Sequence, residues 1–179
     1  MTLLECLNNY ENEAFRLETL PVYIVHEEMD LISSYLKTGN NEMSAGLNEY
    51  VSIHSDKVLN GKRHIRARVI PDPISDYFKF EVNVGYFNQS FAGFELVFME
   101  QNDFNKLKDI QPSQNIFDYW LFDRTQLIKM IYSPSGEYLG HEFSTDKEEI
   151  LYACEIRDAF INRGKTFSYL IDKYDILKN

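Results

Sequence analysis

One tract constrains the fold more than any other: Asp118-Tyr119-Trp120-Leu121-Phe122-Asp123, continued by Leu127-Ile128-Lys129-Met130-Ile131-Tyr132 and then Ser133-Pro134-Ser135-Gly136. Two short apolar runs, the first held between acids and the second stopped by a turn carrying both Pro and Gly, read as two strands of a hairpin-like unit. Tyr138 to Phe143 supplies a third run, so the segment predicts an antiparallel meander. Trp120, the only Trp, alternates with Tyr119 and Leu121, which reads as core packing ahead of ligand stacking. The tract is a structural signature, with no catalytic pattern in it.

The rest of the composition says that such a meander sits in one folded domain. A chain of 179 residues is long enough to bury a full hydrophobic core as a single unit. Apolar residues make up 44% and aromatics 15%, too much large apolar area for a disordered chain. The net charge of −10 and pI near 4.8 argue against general coating of nucleic acid or an anionic membrane, because a negative field repels phosphate. Cys6 and Cys154 lie far apart, with no CxxC clip and no disulfide framework, which fits a reduced, cytoplasmic setting. Glu5 stands where a secretory leader needs an apolar core, and no window has the roughly 18 apolar residues of a membrane span, so a soluble intracellular protein is expected.

Periodicity places the other elements. Leu3 to Asn12 reads as a short helix and Phe15 to Leu20 as a strand limited by Pro21, with Val22 to Val25 continuing extended. Glu27 to Lys37 and Leu47 to Leu59 read as helices, ended by Gly39 and by Asn60-Gly61. His64 to Ile70 alternates as a strand, with Ile65, Ala67 and Val69 on one face and His64, Arg66 and Arg68 on the other. Ser75 caps a helix to about Phe87, its apolar stripe formed by Tyr77, Phe80, Val84, Phe87 and Phe91, although Phe78 to Val84 alone also fits a strand. Phe94 to Met99 reads as a strand and Asn102 to Asn115 as a loop. Thr145 is read as the cap of a long helix ending near Gly164, and Phe167 to Ile171 as a last helical piece.

Phe15-Arg16-Leu17-Glu18 with Pro21 and Tyr23, Ile65 to Ile70 with Pro73-Ile74-Ser75-Asp76-Tyr77, the Asp118 to Asp123 tract, and Gly136 to Gly140 follow in an order and spacing that resembles the DUF6879 family. The resemblance covers nearly the whole chain. It implies an uncharacterised bacterial domain of a kind that accompanies helix-turn-helix regulators, and no assigned activity. Where the family pattern has a second acid after the last Asp of the tract, this chain has Arg124. The C-terminal order of strand, strand, Gly turn, strand and helix also resembles, more weakly, phospholipase D-like sensory domains. That superfamily's nucleophilic His is followed by Lys two positions on. None of His26, His54, His64 or His141 has a Lys there, so the likeness implies binding without phosphodiesterase chemistry.

The sharpest local anomaly is Lys57, Lys62, Arg63, His64, Arg66 and Arg68, a basic stretch with no acid inside it in an acidic chain. Arg66 and Arg68 on one strand face suit forked binding of a phosphate or carboxylate, with His64 beside them. The alternative is an internal salt-bridge layer made with Glu18 and Glu81. Arg16 and Glu18 share a face and join either a polar pocket with Arg66 and Arg68, if the strands are neighbours, or a solvated face. Asp118 and Asp123 point to opposite sides and are expected to cap a turn or pair with Arg124 or Lys129. Gly164-Lys165-Thr166 is no phosphate loop, since Ala159 replaces the first Gly and a helix precedes it. No spacing supports a metal site or a nucleophilic triad.

The expectation is therefore one α/β (α+β) domain, residues 1–179, with a mixed or antiparallel sheet covered by helices and a phospholipase D-like layout. Its expected function is a non-catalytic binding or regulatory module, linked to transcription regulation. It would receive an anionic small molecule or a partner protein's acidic segment at Arg66, Arg68, His64, Arg16, Glu18 and Glu81, with no cofactor. The rivals are a metal-dependent phosphodiester or nucleotide hydrolase using Glu18, Glu81 or Asp123, and an acidic, antitoxin-like partner protein. Oligomeric state is open, with a homodimer among the options.

Overall fold

The computed structural model describes residues 2–110 and 118–176. Six strands form one mixed sheet in the order β3-β2-β1-β4-β5-β6. β1 (Glu13–Glu18), β2 (Arg63–Ile70) and β3 (Glu95–Glu100) run parallel. β4 (Tyr119–Phe122), β5 (Gln126–Tyr132) and β6 (Tyr138–Ser144) form the expected meander, which joins the parallel half where β4 pairs antiparallel with β1. Parallel strands need long crossovers, and the intervening chain supplies them as helices.

The two faces of this sheet are unlike. Because side chains alternate along a strand, Phe15, Leu17, Ile65, Ala67, Val69, Tyr119, Leu121 and Leu127 point to one side and build an apolar core. α6 (Gln101–Ile110) and α7 (Lys147–Arg163) cover it with Phe104, Leu107, Tyr152, Ile156 and Phe160. The opposite face carries Arg16, Glu18, Arg66 and Arg68 at its centre, flanked by Leu96 and Phe98 on β3 and by Trp120 and Phe122 on β4. α1 (Leu3–Asn9), α2 (Met29–Thr38), α3 (Ala45–Leu59), the segment 76–91 and α8 (Phe167–Tyr174) lie on this second side, where three smaller apolar clusters pack around the charges.

Several expectations shift. The region read as a loop is helical as far as Ile110, because Phe104 and Leu107, three apart, both dock on the apolar sheet face; the remainder of that loop, 111–115, lies outside the described residues. The helix expected to about Phe87 is three pieces: α4 (Asp76–Phe80), a π-helical segment Glu81–Tyr86 and α5 (Phe87–Phe91). The wider π turn rotates later side chains off the 3.6-residue stripe, which leaves Phe91 79% exposed. Asp146, and not Thr145, caps α7, accepting from the amides of Glu148 and Glu149. Val22 to Val25 forms only a single bridge, Ile24 to Glu137, where Gly136 (φ 91°) lies against the Val22 carbonyl.

Candidate functional site

Parallel pairing of β1 with β2 sets Arg16 opposite Arg66 and Glu18 opposite Arg68, so the two strands expected to share a polar pocket are neighbours. The result is a buried ion network. Arg66 Nη2 donates to both Glu18 oxygens, at 2.8 and 2.7 Å, and Tyr86 donates to the same carboxylate at 3.0 Å. Arg68, with 0% exposure, meets Glu81 Oε2 at 3.0 Å, reached from the π-helical segment above it. Arg16 Nη2 lies 3.6 Å from Asp118 and donates to the Tyr132 hydroxyl at 3.0 Å. Asp118 in turn accepts from the Thr19 amide and hydroxyl and from Tyr23. Three guanidiniums thus face three carboxylates in a largely buried layer, where each charge is compensated by a partner. Rings add to it: Arg68 sits over Tyr23 at 4.9 Å, Arg66 over Tyr86 at 5.8 Å and Arg16 over Trp120 at 5.9 Å.

The surroundings pull the two glutamates apart. Burial by itself would push the Glu18 carboxyl up, yet the guanidiniums of Arg66, Arg16 and Arg68 outweigh it and bring it down to about 2. For Glu81, loss of water dominates over the attraction of Arg68 and lifts the carboxyl to about 7. Two carboxylates on one cavity, one locked ionised and one poised near neutrality, are a functional signature when they sit in a cleft.

Such a cleft is present. A cavity of 620 Å³ opens between the polar sheet face and the helices, with Glu18, Arg66 and Glu81 in its lining. Tyr50, Tyr77, Phe80, Tyr86, Trp120 and Tyr132 contribute ring walls. Its size falls within the range of small-molecule pockets, about 300–1,000 Å³. Gly85, in the π segment, keeps one wall open, for a Cβ there would meet only Gln89 Nε2, at 3.9 Å. Gln89 itself is 2% exposed, lines the cavity and has no partner for its Oε1.

Of the residues singled out from sequence, Glu18, Arg66 and Glu81 reach this cavity, while Arg16 and Arg68 lie behind it as part of its floor. His64 is held elsewhere. Its two ring nitrogens meet the hydroxyls of Tyr10 and Tyr50 at 3.2 and 2.6 Å, and burial, with His54 alongside, keeps it well below the ordinary imidazole range. Asp123 accepts from the amides of Glu11, Asn12 and Glu13, so it caps a turn as expected, away from the other acids. The expected partners Arg124 and Lys129 pair instead with Asp158 and with Glu149. Arg63 and Lys62 also leave the site: Arg63 binds Glu95 and Glu13, and Lys62 donates to the Tyr10 carbonyl.

Asp118, Tyr23, Tyr132 and Gln89 are the members that sequence reasoning missed. For Asp118 a signal existed, since the residue opening a strand that starts opposite Leu17 lies beside the end of β1. Trp120 is 6% exposed, packed as core, and also supplies part of the cavity wall. Among the described residues, no group of three or more His, Cys, Asp or Glu is arranged to hold a metal ion, and no helix is long and apolar enough to cross a membrane. Both cysteines are buried and free.

No curated protein matches the sequence. The fold resembles that of a phospholipase D family member, Nuc from Salmonella typhimurium, with a TM-score of 0.50 and 7% identity over 91% of this chain and 86% of that one. At that identity the likeness is one of fold. Residues 1–169 match the family model described as a domain of unknown function, DUF6879, and the chain belongs to that family.

Proposed function

We propose that the domain is a non-catalytic binding module that holds a small molecule in the cavity over the Glu18–Arg66–Glu81 floor. The observation that carries this reading is the cavity itself: 620 Å³ of space with ring walls, above charges that already compensate one another. A groove that merely relieved packing would have no reason to keep an ion network beneath it, and stacking on rings is how pockets gain affinity without new charge. The cations are sunk under the rings instead of displayed on the surface, which favours a small molecule over a partner protein's acidic segment. Hydrolysis by paired acids and a metal has less support, since Asp123 is committed to three backbone amides and Glu18 to Arg66. A sensing role beside a transcription regulator is the setting consistent with this reading.

Trp120 makes the test direct, because the only indole of the chain lines the cavity. Ligand-observed NMR with an aromatic fragment set, followed by Trp120 emission, should find fragments that bind the wild type and not Gly85→Leu, which adds a side chain at a cavity-lining position where a Cβ would meet Gln89 Nε2 at 3.9 Å. If fragments bind both proteins alike, or neither, the proposal is wrong.

A further inference from the structure

The buried polar atoms of this sheet face that lack hydrogen bonds are mostly donors. Arg16 Nη1, Arg66 Nε and all three nitrogens of Arg68 have no hydrogen-bond partner. Two acceptors that line the cavity share that state, Gln89 Oε1 and Glu81 Oε2, and the second already faces Arg68 at 3.0 Å. Arg66 is the member of the three guanidiniums that lines the cavity. Of its nitrogens only Nη2 meets a carboxylate, at 2.8 and 2.7 Å from the Glu18 oxygens, and a guanidinium has five N–H donors to place. The floor therefore has room for another acceptor at Arg66.

The charge of the floor is balanced only while its three acids are all ionised, with Glu18, Glu81 and Asp118 set against Arg16, Arg66 and Arg68. Glu81 is the acid that can leave this balance, because burial lifts its carboxyl to about 7. The groups facing it are Arg68 and Arg66 from β2, Glu18 from β1, Glu28 from the turn before α2, and Tyr77 and Tyr86 from its own helical segment. With Glu81 protonated, the floor carries one surplus positive charge beside the cavity. One surplus charge matches a monoanion, whereas a phosphate monoester, at about −1.5 to −2 near neutral pH, exceeds it. Of the other acids in the lining, Glu137 has a side chain 53% exposed and faces His26 at 3.8 Å, and Glu28 has interactions of its own.

Resting on the binding reading above, we infer that the ligand is an aromatic monocarboxylate whose carboxylate lies against the Arg66 guanidinium and whose ring stacks among Tyr77, Tyr86, Trp120 and Tyr132. The carboxylate takes over the counter-charge that Glu81 gives up on protonation. Ligand and proton therefore enter together: one carboxylate is bound, Glu81 takes one proton from solvent, and the charge of the floor is unchanged. Where the proton is already in place, the carboxylate binds alone.

Four probes of related shape and different charge separate the outcomes: phenylacetate, phenyl phosphate, phenethyl alcohol and phenethylamine, titrated into the full chain with calorimetry and Trp120 emission as readouts. At about pH 6 phenylacetate should bind about tenfold more tightly than the alcohol, with the amine weakest. Its affinity should fall about tenfold between about pH 6 and pH 8, with about one proton taken up at the higher pH in buffers of different ionisation heat, while that of the alcohol stays level. Glu81→Gln fixes the uncharged state and should bind phenylacetate equally at both pH values. Arg66→Met, checked for folding by circular dichroism, should lose the preference for phenylacetate; if it does not fold, the pH profile of Glu81→Gln decides. Equal or tighter binding of the phosphate, the alcohol or the amine overturns the carboxylate assignment while leaving the cavity a binding site. A level pH profile in the wild type, or a retained slope in Glu81→Gln, overturns it as well. Absence of binding by all four overturns the assignment, and failure of the aromatic fragments too would remove the binding reading beneath it.

Discussion

Replacing Glu18 by Gln would turn a balance of three guanidiniums and three carboxylates into three against two, inside a largely buried layer. Arg16 would keep Asp118 at 3.6 Å and Arg68 would keep Glu81 at 3.0 Å, so the loss falls on Arg66, whose side chain is 13% exposed and whose hydrogen bonds to acid both end on Glu18. Removing one partner of a buried pair costs about 3–5 kcal/mol, since the other charge stays behind without compensation. That is a large fraction of the roughly 5–15 kcal/mol that hold a domain together. Arg66→Met should cost less, because Glu18 still faces Arg16 at 3.9 Å and accepts from Tyr86. In the double variant the stranded charge is gone, and the two losses should fail to add by about 2 kcal/mol. Urea unfolding near neutral pH, followed by Trp120 emission and far-ultraviolet circular dichroism, measures all four corners of the cycle. A cost below about 1 kcal/mol for Glu18→Gln, or strict additivity in the double variant, would refute the claim that these charges depend on each other.

Two further perturbations follow from the same geometry. Desolvation lifts the Glu81 carboxyl from 4.5 to about 7, so the folded chain holds this proton more tightly than the unfolded one; the stability it contributes is complete below about pH 4.5 and is lost as pH rises through 7, and relative to Glu81→Gln the wild type should lose urea resistance across that window. Parallel pH curves for the two proteins would contradict the assignment. Asp123→Ala removes the acceptor of three backbone amides, at 2.7 to 2.9 Å, and should lower stability by roughly 2–4 kcal/mol, with hydrogen exchange rising first at residues 11–13; unchanged exchange there would show that the cap is dispensable.

Most of the sheet was readable because its signals are local. Alternation in His64 to Ile70 announced which side chains face which way, and the Pro-Gly turn after Tyr132 announced the meander. α6 was hidden because its ten residues hold only three apolar side chains, Phe104, Leu107 and Ile110, among polar ones, and the sheet that Phe104 and Leu107 dock on supplies the rest of the stability. The π segment was hidden for a different reason: Val82, Asn83, Val84 and Gly85 are weak helix formers that signal an irregularity without saying which, so the rotated register emerges only from packing. At the site, Arg66, Glu18 and Glu81 were legible as an unbalanced cluster on neighbouring strands and the helix above. The cavity was not, because it depends on how far four helical elements stand from the sheet. His64 shows the limit of a face argument, for it shares its strand face with Arg66 and still turns into a cage of Tyr10, Tyr50 and Phe94.

The unlike faces of the sheet also bear on how this chain avoids wrong pairings. Sliding β1 by a single position along β2 would carry Arg16 and Glu18 into the greasy layer beneath α6 and α7, and would lift Phe15 and Leu17 into the place of ions. Ordinary sheets with two oily sides tolerate such slippage at modest cost, whereas here a slip by any odd number of positions strands charges in hydrocarbon. The ionic face therefore acts as a key against alignments that exchange the two faces of the central strands, and it makes the native topology selective even where it adds little to total stability.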